Sequence, residues 1–586
     1  MNFLNVRKSV ISVFKHNHLH FRSINYLQQK IKDSYYFMHG DVLLSCSTLG
    51  QVLDRSADEA GDSTAIISDF QGISKNYSQF RNEAERLASG FVSQGLRKGD
   101  RIAICSPNCY EWSLTQFAAA KAGLILVNVN PASQAKELEY FLRKVDCRAI
   151  VSWDIFKTQN FYKILCNVIP ELPNSKYGKL QSKSLPNLKN VILISEQKHE
   201  GVINFKDLAD SGNKESDEQL SSIEKNIQFD DPVNIIFTSG TTGAPKGATL
   251  SHHNVINNSL VMGRRIGFNL WKPVVCCHIP LFHSFGCVHG SIASVFYKGT
   301  CVFPSLGYDS VLSLKAIEKH KCTVVYGAPT LFVDMMRSYE AHNFNISSLK
   351  QACLGGAPAN ETLIKDIQKV LKVPQVHVGY GITETSPAVA LNGINEEFEN
   401  IAKGILKPVE YVEVKVIDDK NNLVPINTDG ELCVRGHNVF IGYWNDTEKT
   451  SKVLDETRWY HTGDIGVMND EGCVKIVGRK SDLIIRGGVN IYPLEIENFL
   501  NTHTAILEVH ACGVPDDRLG EEVCVWISVK KDMKLSEEEI RIFCKGQISH
   551  YKVPRYIMFV EEFPKTQSGK IQKFEMTKIS IKKLNL

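Results

Sequence analysis

Residues Thr238-Ser239-Gly240-Thr241-Thr242-Gly243-Ala244-Pro245-Lys246-Gly247 concentrate more chemistry than any other short stretch of the chain. Their glycines let the backbone turn sharply and approach a ligand closely. Three threonine hydroxyls, one serine hydroxyl and the loop's N–H groups can donate to phosphate oxygens, and Lys246 adds positive charge. The loop is not a Walker A motif, because residues 243–246 do not fit G-x4-G-K-[ST]. A Gly/Ser/Thr-rich surface loop is the plain alternative. The apolar run 233–237 directly before it favours a strand that delivers a phosphate-binding loop. A second cluster, Cys276, Cys277, His278, His283, Cys287 and His289, falls within fourteen residues. Its spacing does not reproduce the paired C-x2-C units of zinc modules, so core packing with one functional histidine is expected. Cys105, Cys147, Cys353, Cys433 and Cys524 sit singly in apolar stretches, as free buried cysteines of a reducing compartment do.

Further motifs follow in order: Gly355-Gly356-Ala357-Pro358, Gly379-Tyr380-Gly381-Ile382-Thr383-Glu384-Thr385, Tyr460-His461-Thr462-Gly463-Asp464, Gly478-Arg479-Lys480-Ser481-Asp482 and Pro564-Lys565-Thr566-Gln567-Ser568-Gly569-Lys570. With the loop at 238–247, this series resembles the adenylate-forming superfamily of acyl-CoA synthetases, luciferases and peptide-synthetase adenylation domains. The resemblance covers residues 45–580, and the medium-chain acyl-CoA ligases look most similar. It implies that ATP, Mg²⁺, coenzyme A and a small carboxylic acid are bound. The carboxylic acid would first be adenylated with release of pyrophosphate, then transferred to the CoA thiol.

Residue by residue, the resemblance makes 238–246 the phosphate loop, Thr383 an α-phosphate contact and Glu384 the Mg²⁺ ligand. Tyr380 would offer an aromatic face to adenine, against the small-residue turn of Gly356, Ala357 and Pro358. Asp464 would accept the ribose hydroxyls, Arg479 would contact ribose and phosphate, and Lys570 would bridge carboxylate and phosphate oxygens. On the acyl side, His283 in the segment 280–286 matches the gating residue, while Gly487 and Gly488 match the loop beside the pantetheine tunnel. Taken singly, Asp464 and Arg479 read as a surface salt bridge and His283 as a satisfied core histidine. One position departs from the family: the usual hinge Asp or Lys is Ser481 here, with Lys480 one residue earlier. Two other readings stay open, a luciferase-like oxygenase and a catalytically silent nucleotide-binding regulator. The intact set Lys246, Thr383, Glu384, Asp464, Arg479 and Lys570 argues against the second. Residues 306–311 mimic a phosphopantetheine attachment site, but there is no room for a carrier bundle, so Asp309 or Ser310 is expected to cap a helix over 311–319.

These groups must be positioned by something large. The chain has 586 residues, which calls for at least two domains. Phe80, Ala84, Leu87 and Phe91 mark one face of a helix, 101–105 reads as a strand, and a helix over 112–122 leads to an apolar strand at 124–129. Repeated strand–helix units imply an α/β domain with covered sheets. Residues 196–226 are polar and charged and read as a surface excursion. Past residue 480 the style changes: Val523, Val525, Ile527 and Val529 alternate as a half-buried strand, and Ser536 with Glu539 forms a capping box. The expected architecture is a large α/β domain over 45–480, of covered mixed sheets with a small β-barrel-like subdomain, then a small mobile α+β domain over 482–586.

A net charge of +3 gives no ground for a nucleic-acid partner. No apolar run approaches the roughly 20 residues of a membrane span; the stretch 118–129 is interrupted by Lys121 and Gly123. Before Asp33 there is no acidic residue, Arg7, Lys8, Lys15, Arg22 and Lys30 supply positive charge, and Phe3, Val6, Val10, Val13 and Phe14 recur at roughly helical spacing opposite Arg7, Lys8 and Lys15. Residues 1–35 therefore read as a transit peptide for the mitochondrial matrix, against an untargeted basic tail in the cytoplasm. The last three residues, Leu584-Asn585-Leu586, are not the peroxisomal tripeptide.

Overall fold

The computed structural model describes residues 32–586, apart from Tyr177, 239–244, Pro358, Asn360, Asn395, Gly488 and 566–569. Phe80, Ala84, Leu87 and Phe91 are fully buried on the helix Tyr77–Ser93, whose start is fixed by reciprocal bonds between Asn76 and Gln79. That helix packs on Tyr110–Lys121, which is buried on nearly every side. Its last residue, Lys121, is only 2% exposed, and a buried ammonium must be paired. Asp54 at 2.7 Å, Glu224 at 3.0 Å and Glu85 at 3.5 Å, each from a different helix, neutralise it. The polar stretch at 196–226 is thus more than an excursion: it forms the helices Phe205–Ala209 and Lys214–Asn226, and the second delivers Glu224 to that cluster.

Two eight-stranded sheets make up the large domain. The first runs Ile203–Asn204, Asn190–Ile194, Ala149–Trp153, Arg101–Cys105, Ile125–Val129, Pro232–Thr238, Lys246–Ser251, Gly442–Tyr443. It is parallel as far as Pro232–Thr238, and its last two strands are antiparallel. The second runs Ala388–Leu391, Gln375–Gly381, Gln351–Leu354, Val324–Gly327, Val274–Cys276, Thr300–Phe303, Thr64–Ser68, Ile73–Asn76, with antiparallel strands only at its two ends. The helices Tyr110–Lys121 and His252–Arg265 touch both sheets, so each sheet has a covered face. The cysteines of the 276–289 cluster are buried there; His278 bonds Ser313 Oγ at 3.1 Å and His289 bonds Asn258 Oδ1 at 2.8 Å. Asp309 caps the helix Ser310–His320 by accepting the Leu312 N–H at 2.8 Å.

The barrel-like subdomain is an open antiparallel sheet of five strands: Tyr35–Met38, Val412–Ile417, Asp429–Gly436, Tyr460–Met468 and Val474–Arg479. Its first strand lies ahead of residue 45, where the large domain was expected to start. A further sheet after residue 480 is built on the hairpin Ile506–Asp516 and Gly520–Val529. Here the half-buried strand is corrected. Val523, Val525 and Ile527 pack against Ile496, Leu500 and Ile540, while Cys524 and Trp526 on the other face pack against Met576 of the helix Lys573–Leu584. Helices cover both faces, so the strand is buried on both. Among the described residues, no helix is long and apolar enough to cross a membrane.

Candidate active site

The parallel strands Gln351–Leu354 and Gln375–Gly381 end side by side, and ligands of open α/β sheets bind at such carboxyl ends. The first runs into Gly355, Gly356 and Ala357. Gly356 holds φ +85°, which an L side chain resists, and a Cβ on Gly355 would reach 3.4 Å from the Phe285 ring. The second carries Tyr380 and Gly381. A Cβ on Gly381 would lie 1.9 Å from the Pro387 carbonyl oxygen, so only glycine lets the chain fold back there. The short turn Thr383–Thr385 then aims Glu384 inward, buried.

Glu384 joins two motifs and one residue outside them. Its Oε1 accepts hydrogen bonds from Tyr443 Oη at 2.9 Å and from Thr238 Oγ1 at 3.2 Å. Thr238 closes its strand where the phosphate-loop residues begin, and Lys246 opens the antiparallel return strand directly opposite. Lys246 Nζ lies 4.8 Å over the Tyr443 ring, and the Pro245 carbonyl accepts from Tyr140 Oη at 2.9 Å. Ser239, Gly240, Thr241, Thr242, Gly243 and Ala244 lie outside the described residues, as do Pro358 and Gly488.

Asp464 joins the others. It is 3% exposed, accepts from Tyr380 Oη at 2.6 Å on Oδ2, and from Arg479 Nε at 2.9 Å on Oδ1. Register pairs Asp464 with Arg479 on adjacent strands, which sets this contact. Burial and the Asp464 charge push the Tyr380 hydroxyl well above the ordinary tyrosine range. Asp464 likewise raises the Arg479 guanidinium. Lys570 arrives from the far end of the chain and sits within electrostatic reach of Arg479, Glu384 and Asp464. Lys570 is exposed to solvent at this point. Desolvation, then Arg479, lowers its pKa, and the two carboxylates only partly offset this.

Residues 53–444 match the AMP-binding enzyme family, and residues 495–570 match the C-terminal domain of AMP-binding enzymes. The chain belongs to the AMP-binding enzyme family. It is 44% identical over 548 residues to a protein named medium-chain acyl-CoA ligase ACSF2, mitochondrial, of Danio rerio, covering 93% of this chain and 90% of that one. The Bos taurus protein of the same name is 41% identical over 558 residues, covering 94% and 91%. The crystal structure of ATP-bound MatB from Rhodopseudomonas palustris superposes with a TM-score of 0.78 at 25% identity, covering 91% of this chain and 99% of that one.

Within electrostatic reach of Lys570, this AMP-binding enzyme also places His283. Burial, reinforced by the Lys570 charge, lowers the imidazole pKa from 6.5 to about 3, so the ring is neutral at physiological pH. Its Nε2 is buried and has no hydrogen-bond partner among the described residues. Gly487 is a turn residue with φ +59°, its N–H donating to the Leu519 carbonyl at 2.7 Å. Ser481 lies in the turn Lys480–Asp482, and Lys480 is paired with Asp419 at 2.9 Å and Glu431 at 3.6 Å. One contact in this cluster was not visible in the sequence. Tyr443 grips Glu384 across 59 residues, and no spacing rule links the two.

Proposed function

We propose that this AMP-binding enzyme converts a medium-chain fatty acid to its CoA thioester in two steps at one site. The observation that carries the reading is Lys570 standing among Glu384, Asp464, Arg479 and His283, groups drawn from four separate motifs. In the first step an acid carboxylate oxygen attacks the α-phosphorus of ATP. The bond to the β-phosphate oxygen breaks, and acyl-AMP and pyrophosphate form. The loop at 238–246, Thr383 and Lys570 hold the phosphate oxygens and neutralise charge as it moves. Tyr380, with Gly356, Ala357 and Pro358, frames adenine; Asp464 and Arg479 take the ribose. His283 would gate the acyl side, and its neutral ring adds no charge to repel the Lys570 ammonium.

Glu384 would hold Mg²⁺. A single buried carboxylate ringed by the hydroxyls of Tyr443 and Thr238 fits an ion that takes its other ligands from phosphate and water. When bound, the ion supplies charge neutralisation on the phosphates. In the second step the CoA thiolate attacks the acyl carbon and AMP departs, with no protein nucleophile. For this the small domain, 482–586, rotates against the large one, 45–480. Lys570 withdraws and the loop of Gly487 and Gly488 comes in. The names of the relatives support the medium-chain substrate and a mitochondrial address, with the basic residues before Asp33 as the import segment and the matrix as destination.

The test is a panel of short-, medium- and long-chain acids, assayed for ATP–pyrophosphate exchange and for CoA-dependent AMP release. Both signals are expected to peak with medium-chain acids. Exchange with no acid in the panel would overturn the ligase. Light or CO₂ released with O₂ would move the protein to the luciferase-like reading.

A further inference from the structure

A metal-binding carboxylate is effective only if the protein fixes which oxygen it presents, since a glutamate side chain is otherwise a flexible arm. In this structure that task falls to one short segment. Phe440 donates its N–H to the Glu384 carbonyl at 2.9 Å, and Tyr443, three residues on, donates its hydroxyl to Glu384 Oε1 at 2.9 Å. Tyr443 is itself immobilised. It lies in the edge strand Gly442–Tyr443 paired with Ala248, its N–H donates to Thr450 Oγ1 at 2.9 Å, and its ring packs edge-on against Phe440 at 5.0 Å. Gly442 makes this fit possible, because a Cβ there would lie 2.9 Å from Thr450 Cγ2. The same ring supports the Lys246 ammonium, 4.8 Å from its centre. One side chain therefore touches both the carboxylate and the cation that face the phosphate-loop region.

We propose that Tyr443 is a positioning residue of the adenylation step, orienting Glu384 through its hydroxyl and Lys246 through its ring. Tyr443 and Thr238 both donate to Oε1, which would leave Oε2 as the oxygen offered to Mg²⁺. The inference rests on the reading of Glu384 as the Mg²⁺ carboxylate. Two substitutions separate the two contacts. Tyr443→Phe keeps the ring and loses the hydroxyl, whereas Tyr443→Leu loses both.

For Tyr443→Phe, the Mg²⁺ concentration that half-saturates ATP–pyrophosphate exchange is expected to rise about 10- to 100-fold, the usual cost of removing a partner of a metal ligand. Mn²⁺ binding in the presence of ATP, read by electron paramagnetic resonance, should weaken in parallel. Thioester formation from supplied acyl-AMP and CoA should be unchanged, because no metal–phosphate contact is formed there. Tyr443→Leu should in addition weaken ATP binding at saturating Mg²⁺. A Tyr443→Phe enzyme with wild-type Mg²⁺ dependence overturns the inference, and so does one that loses both half-reactions equally with a lowered Tm. Wild-type protein in which Mg²⁺ affects neither ATP binding nor exchange would instead overturn the reading of Glu384, and this inference with it.

Discussion

Lys570 carries its charge in surroundings that work against it. Desolvation and the nearby Arg479 favour the neutral amine, and Glu384 and Asp464 restore only part of the loss, so the group gives up its proton below the usual 10.5 of lysine. Adenylation needs the ammonium. The rate of the first half-reaction should therefore fall as pH rises through this depressed pKa, earlier than an unperturbed lysine would require. The limb should move to higher pH in Arg479→Gln, whatever that substitution costs in rate; a limb that stays put would disconnect Lys570 from it. Lys570→Ala should slow adenylation by about 10²- to 10³-fold, the cost of removing one preorganised donor, and leave thioester formation from supplied acyl-AMP intact. Equal loss of both half-reactions would sink the assignment of Lys570 to one step. At this scale the motifs made Thr238, Glu384, Asp464, Arg479 and Lys570 legible in the sequence, because each belongs to a short run with its own chemistry. Tyr443 was not legible. Its meaning lies in a contact between distant strands, and a tyrosine in the run Gly442-Tyr443-Trp444 looks like any strand residue.

The helix Tyr77–Ser93 could be read directly, because four apolar residues at helical spacing have only one way to share a face. The strand Gly520–Val529 could be located but not placed. Its alternating valines and isoleucine announced one buried face, while Cys524 and Trp526 on the other are covered by a helix that begins more than forty residues later. Nothing within a strand reveals what a remote helix will cover. The burial has a measurable consequence. Ile527→Ala should lower the unfolding free energy of the small domain by about 2–5 kcal/mol, through lost transfer energy and the cavity left behind. Ile542→Ala, at a side chain 63% exposed, should change it by about 0.5 kcal/mol or less. Urea denaturation followed by fluorescence would check both, with Trp526 as a reporter inside the domain; equal effects would refute the two-sided core.

At the scale of the whole molecule, five buried histidines among the described residues share one electrostatic predicament with His283. Burial lowers His289 to about 3, and His252, His278, His377 and His437 to about 4, from an ordinary 6.5. The folded state resists their protonation where the unfolded chain accepts it. Their contribution to stability is thus whole above pH 6.5 and is lost progressively as pH falls toward 4 and 3, by about 1.4 kcal/mol per unit of depression for each group. Tm should fall steeply between pH 6.5 and 4.5, and a flat profile there would contradict it. The order of strands in the first sheet has a consequence of another kind. Lys246–Ser251 pairs on its outer edge with Gly442–Tyr443, which is made much later on the ribosome. A nascent chain that has just extruded the phosphate-loop residues still lacks the strand that flanks them and the tyrosine that holds Glu384. Nucleotide can act as a folding ligand only for a polypeptide that is nearly finished, which leaves the emerging half to chaperones and makes late truncations more damaging than their length suggests.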